Sequence, residues 1–341
     1  MNDRKIYLDI LKIISILSVM YVHTGLDGMN YYEQSQGIGH FISFFLRECV
    51  HTCSYMFFVI SGALLLKKEE PLKVVINKRV LRYVTLIFIA GSARLVYYNL
   101  ISHTELTIEA WFRGIYSTNV LEQYWFLHAY LAFLILLPFL RMIARGLKKD
   151  TAIYLMALMI IFNFVLTYFE KAWDFEPVSL SLPLLTDIII LPLMGYCIEE
   201  IFVSELQKTQ VRRIVYLIAL FALLLDVVYT YRMYRAGNVI PEMNGSYMLM
   251  TAGLYVLGRQ LFMDAKFNEI VTKVIGIMGA STLTIIVFEP ELRELTHPIY
   301  RLLVPYITWL LAVIIWLVLA LILGSLLSLG LKKVPGVRKL F

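Results

Sequence analysis

Apolar stretches long enough to cross a bilayer recur along this chain, at roughly 6–25, 41–66, 80–101, 123–141, 151–169, 182–198, 212–231, 246–263, 273–290 and 303–328. At 1.5 Å of rise per residue, about twenty residues span the roughly 30 Å of hydrocarbon in a membrane. The expected fold is therefore all-α, a polytopic bundle of about ten transmembrane helices. Composition leaves little room for anything else: 60% of the 341 residues are hydrophobic, only 16% are charged, and the mean hydropathy is +0.73. No polar, Pro/Gly/Ser-rich or low-complexity stretch is long enough to be a linker, and no period marks a repeat array, so residues 1–341 are expected to form one integral-membrane domain. The N-terminal segment lacks the basic flank and small-residue cleavage site of a signal peptide and is expected to remain in place.

The net charge of +6 would suit nucleic acid in a soluble protein, but here the distribution of basic residues explains it without a nucleic-acid partner. With an even number of spans both termini share one side. Placing them in the cytoplasm puts 22 of the 31 basic residues in inner segments and six in outer loops, as the positive-inside rule requires.

The first segment carries three ionisable residues, Asp9, Lys12 and His23. Such groups are costly inside a span and mark functional sites. At about 100° per residue, Lys12 and His23 fall within roughly 20° of one another, with Asp9 about 40° to the far side of His23. One helix face thus holds all three, with Lys12 and His23 about 16 Å apart along the axis. That layout suits a long, thin ligand.

Other charged and polar positions carry less specific signals. Arg47, Glu48 and His51 near the outer end of the second span are explained by a local ion pair. Ser61, Gly62 and Ala63 permit close helix approach. Lys78, Arg79 and Arg82 open the third span after the densest basic loop. Arg79 and Arg82, three residues apart on one face, can grip a phosphate with two guanidinium forks. Arg94 lies mid-span and needs a partner, with Asp226 and Glu289 as candidates. His128, one turn inside the aromatic cluster of the fourth span, has a structural reading and a proton-carrier reading. Asp187 sits in a span interrupted by Pro183 and Pro192, where broken helices often line cavities. Cys49, His51 and Cys53 resemble a metal cluster on paper. In a helix, however, His51 points about 200° from Cys49, so no metal site is expected there.

Several of these residues fall in an order that resembles the membrane-bound acyltransferase 3 family. Leu8-Asp9 and His23 match its first span, with Lys12 where relatives carry arginine; Phe57, Phe58, Ser61 and Gly62 match its Phe-Phe-x-x-Ser-Gly pattern. Arg79 and Arg82 match Arg-x-x-Arg, and Trp125, Phe126, Leu127 and Pro138 match the Trp-Phe-Leu element before a proline-bearing span. The likeness covers all ten stretches, and in length and layout the chain is similar to the subgroup that O-acetylates enterobacterial common antigen. It departs from many relatives at Glu289-Pro290, where they have a histidine, and at Gln123-Tyr124-Trp125, where they have His-Leu-Trp.

The resemblance implies a membrane O-acyltransferase. Cytoplasmic acyl-CoA, acetyl-CoA by likeness, would lay its phosphates on Arg79 and Arg82, with Lys78 or Lys12 beside them. His23 would act as general base, or as the nucleophile of an acyl-histidine route, on a hydroxyl of a cell-surface glycan or lipid-linked saccharide. Asp9 or Glu289 would orient or charge-balance it. No metal is implied, and the expected setting is the plasma membrane. The competing expectation is a small-solute transporter on the same scaffold, since related membrane domains occur fused to amino-acid racemases. Acyl-CoA binding separates the two.

Overall fold

The computed structural model describes residues 5–102, 107–116, 124–173, 175–176 and 182–341. Arg4, and Gln123 at the start of the expected fourth span, lie outside them. The described residues are helical throughout, in the order α1 Ile6–Val22, α2 Gly37–Val50, α3 Cys53–Leu65, α4 Leu72–Val75, α5 Leu81–Ser102, α6 Ile108–Tyr116, α7 Trp125–Gly146 and α8 Lys149–Met159. There follow α9 Thr167–Trp173, α10 Asp187–Tyr196, α11 Val203–Gln207, α12 Thr209–Arg235, α13 Asn244–Phe262, α14 Glu269–Ala280, α15 Thr282–Leu303 and α16 Trp309–Leu331.

Six of these stretches are long and apolar enough to cross a membrane: Gly37–Leu65, Leu72–Tyr97, Trp125–Gly146, Lys149–Trp173, Thr209–Arg235 and Trp309–Leu331. The pair α14 and α15, bent by 71°, makes a seventh if counted as one broken span. The other three expected spans correspond to α1, α10 and α13. Of these α1 is 17 residues long and α10 ten, while α13 has 19 with a polar N-terminal turn, Asn-Gly-Ser-Tyr.

Helix α1 lies at the centre, packed against α3, α13, α14 and α15. Its core residues Leu11, Ile16 and Met20 are fully buried. At the periphery α12 turns Ile214, Leu217, Leu220, Phe221, Leu224 and Val228 outward. A continuous apolar face of that kind is a lipid contact, because water would not tolerate it.

Small residues set the closest approaches. A Cβ on Gly62 would stand 1.9 Å from the Pro192 carbonyl oxygen, and one on Gly195 would stand 2.0 Å from that of Val59. Gly62, together with its small neighbours, therefore acts in the packing of α3 on α10. Gly279 of α14 is similarly pressed against Asp9 of α1.

Two features depart from the sequence reading. The second expected span is one membrane-length stretch, Gly37–Leu65, whose helix is interrupted at His51 and Thr52, between α2 and α3. The loop expected after residue 290 is helical, because α15 runs on to Leu303. Its irregularity falls instead at Phe288, whose φ of −107° and ψ of 15° are non-helical just ahead of Pro290. A proline in a helix interior removes one backbone donor and clashes with the preceding turn, so the kink is displaced to its N-terminal side. The Tyr124 hydroxyl donates to the Val287 carbonyl at this kink, at 3.3 Å.

Arg94 is also partnered differently: it forms an ion pair with Glu291, two residues beyond Glu289 and so about 200° round α15 from it. Asp226 is instead fully buried in α12 beside Glu48 and Arg47. At about 100° per residue, positions 289 and 291 face opposite sides of α15 and so meet different neighbours.

Candidate active site

The last turn of α1 ends at His23, whose backbone N–H bonds the Met20 carbonyl and whose φ of −90° and ψ of 6° release the chain into short turns. The imidazole is thereby placed by the register of a buried helix rather than by a loop. Its Nδ1 lies 3.2 Å from Glu289 Oε2. This is ion-pair distance without hydrogen-bond alignment, so both atoms are left without a hydrogen bond among the described residues. The other carboxylate oxygen, Oε1, accepts from Arg293 Nε at 2.9 Å, one turn further along α15. Glu289 is buried, with 1% of its side chain exposed, while His23 keeps 23%.

A carboxylate this deeply placed needs a cation or donors around it, and Arg293 supplies one on the face away from the imidazole. The resulting row, Arg293 to Glu289 to His23, can hold Nδ1 as the protonated nitrogen and leave Nε2 as the free base. The kink at Phe288 brings Glu289 to this position.

His23 and Glu289 share the wall of a cavity of about 620 Å³. His51, Tyr55, Asp187 and Tyr247 contribute further polar groups, and Phe57, Trp125 and Phe126 supply aromatic faces. His51 turns its Nδ1 to the Arg47 carbonyl at 2.7 Å and stacks on Tyr247, with ring centres 4.8 Å apart. The Tyr247 hydroxyl is buried with no hydrogen-bond partner among the described residues. A mostly apolar concavity with a few convergent, unsatisfied polar atoms is the usual form of a small-molecule site.

The remaining expected site residues lie elsewhere. Asp9 is buried about 21 Å from His23 along α1 by helix rise. It does not line the cavity, and Lys12 Nζ lies 3.2 Å from its Oδ1. Lys78, Arg79 and Arg82 stand at the end of the bundle where α1 begins. Lys78 is exposed there.

Arg79 grips Glu70 with two hydrogen bonds, of 2.9 and 2.6 Å, and Glu70 accepts a third from Arg141 Nη2 at 2.8 Å. Hydrogen bonding from Arg79, joined by Arg141, holds the Glu70 carboxyl well below its ordinary value, at about 2. Arg82 donates to the backbone carbonyls of Leu340 and Phe341. Nearby, buried Glu199 faces Lys5, Arg259 and the Tyr255 hydroxyl. Among the described residues no group of His, Cys, Asp and Glu side chains is arranged to hold a metal ion, and all three cysteines are free.

Sequence reasoning named His23, Glu289 and Asp187 but not Arg293, Tyr55, Glu242, Asn244 or Tyr247. The i, i+4 spacing of Glu289 and Arg293 was a local signal for the first of these. The segment from Glu242 to Tyr247 reaches the cavity only through tertiary packing at the start of α13. His128 has each ring nitrogen 3.0 Å from a carbonyl, those of Tyr124 and Ile115, which is a structural setting outside the cavity wall.

No curated protein and no solved structure matches this chain. A family model described as an acyltransferase domain matches residues 5–329, nearly the whole length. The chain, a multi-pass helical membrane protein, belongs to the acyltransferase 3 family.

Proposed function

We propose that the protein is a plasma-membrane O-acyltransferase. It moves an acyl group, acetyl by family likeness, from cytoplasmic acyl-CoA to a hydroxyl of a cell-surface glycan or lipid-linked saccharide of the kind O-acetylated by the enterobacterial common antigen subgroup. The observation that carries the reading is the His23–Glu289 contact on the wall of a cavity in a chain of this family. The topology that goes with it has ten spans, counting α1, α10 and α13, and both termini in the cytoplasm. The concentration of basic residues in the inner segments supports that orientation.

In this scheme His23 Nε2 accepts the proton of the acceptor hydroxyl as its oxygen attacks the thioester carbonyl. The carbon–sulfur bond then breaks, and the departing CoA thiolate takes that proton from the imidazolium, leaving ester and thiol. Glu289 holds Nδ1–H and balances the transient charge, with Arg293 behind it. Lys78, Arg79, Arg82 and Lys12 form the donor-phosphate site, the phosphates replacing Glu70 on Arg79 and the terminal carbonyls on Arg82. Asp9 positions Lys12 rather than the base. The rise of about 16 Å from Lys12 to His23 matches a pantetheine arm laid along α1.

The test is binding of radiolabelled acetyl-CoA to the protein in nanodiscs, followed by transfer. Binding is expected to be lost in Arg79→Ala/Arg82→Ala and kept in His23→Ala, which loses transfer. Absence of binding in a monodisperse sample would overturn the reading and favour a transporter of a small solute, which has no use for acyl-CoA.

A further inference from the structure

The charge of the cavity wall narrows the acceptor. Three carboxylates line this cavity, those of Asp187, Glu242 and Glu289, with the Tyr55 hydroxyl among them. A smaller recess of about 300 Å³ adjoins it through Asp187 and adds Glu170. Among the described residues no lysine or arginine lines either space. The nearest cations are turned to other tasks: Arg293 holds Glu289 from behind, Lys171 donates to the backbone carbonyl of Glu242, and Arg47 pairs with Glu48. The Tyr247 hydroxyl, buried with no hydrogen bond among the described residues, points to a polar occupant.

We propose that this cavity takes a polyhydroxylated acceptor bearing a free, protonated amine. The ammonium lies between Asp187 and Glu242, and the sugar ring rests on the aromatic faces of Trp125 and Phe57. The identification of the cavity as the acceptor site rests on the acyl-transfer reading above, but the charge preference is a property of the wall itself. A carboxylated or phosphorylated acceptor would meet like charge in a poorly hydrated space, where such repulsion is least screened. An uncharged sugar meets neither attraction nor repulsion.

The experiment is calorimetric binding of three trisaccharides to the full chain in nanodiscs without acyl-CoA: a glucosamine trimer, its N-acetylated form and a galacturonate trimer. The free amine is expected to bind at least tenfold more tightly than the N-acetylated trimer, and the uronate not at all. In Asp187→Asn/Glu242→Gln the preference should shrink to within twofold. In the unaltered protein, raising the pH until the glucosamine amine is uncharged should weaken that trimer and leave the N-acetylated trimer unchanged, a result that does not depend on the variant folding. Equal or tighter binding of either of the other trimers, or no binding of any, overturns the proposal. Retained amine preference with no acyl transfer to any acceptor counts against the enzyme reading and leaves this one standing.

Discussion

The two ends of α1 meet different surroundings, a set of interlocked ion pairs at one and a cavity at the other. Where α1 begins, carboxylates and cations close on one another: Glu70 between Arg79 and Arg141, Glu199 among Lys5, Arg259 and Tyr255. Where α1 ends, the His23–Glu289 pair and the Tyr247 hydroxyl, which has no hydrogen bond among the described residues, face a cavity. An unsatisfied buried polar atom costs about 1–3 kcal/mol, and in a cavity a bound polar group can recover that cost. The end packed with ion pairs stabilises. The end open to the cavity is where chemistry is expected.

The sharpest way to break this contrast is at His23. Replacing it with alanine is expected to lower transfer by about 10²–10⁴-fold, the range for loss of a general base, with little change in thermal midpoint. A variant that keeps its rate would remove the cavity from the mechanism. Glu289→Gln, read in the same assay, is expected to cost about 10²-fold in kcat, because the imidazole loses the group that fixes its tautomer. If the rate is unchanged, Glu289 is merely structural.

Moving to packing, Gly62→Val should lower stability by about 1–3 kcal/mol, since α3 can make room only by leaving α10. This is measured as a fall in thermal midpoint in nanodiscs. The smallest effect belongs to the closed end. Glu70→Gln should cost about 1 kcal/mol near neutral pH, with no effect on the intrinsic rate at saturating donor.

The pH dependence of that last penalty has a definite sign. Glu70 has its folded-state value depressed from 4.5 to about 2, so its contribution is complete above about pH 4.5 and is lost as pH falls through about 2. Comparing the midpoints of the Glu70→Gln variant and the parent from pH 7 to pH 3 checks this. A penalty that grows on acidification would contradict the assignment.

How much of this was legible beforehand depends on whether the information was local. The helical class, and the unusual load of Asp9, Lys12 and His23 in one apolar segment, follow from periodicity and composition. So does the small-residue packing at Gly62. The His23–Glu289 contact joins residues 266 positions apart; the two types were recognisable as chemically apt, but their meeting depends on a kink at Phe288 that sequence placed only as a proline nearby. Asp9 shares the helical face of His23, yet a shared face says nothing about depth, and the two are separated by most of the length of α1. Arg79 and Arg82 have the spacing of a phosphate clamp, but spacing does not reveal that Glu70 and the terminal carbonyls already hold them. Glu242 and Tyr247 had no local signal, since their role comes from where α13 begins against α3.

The position of His23 as the residue that ends α1 has a consequence for which changes the gene can accept. Inserting or deleting one codon anywhere between Leu11 and Met20 would turn the imidazole by about 100° and slide it 1.5 Å, away from Glu289. The turns from Gly25 to Glu33 follow His23 and do not set its register. Length variation within this protein's lineage should therefore be absent between Leu11 and the base.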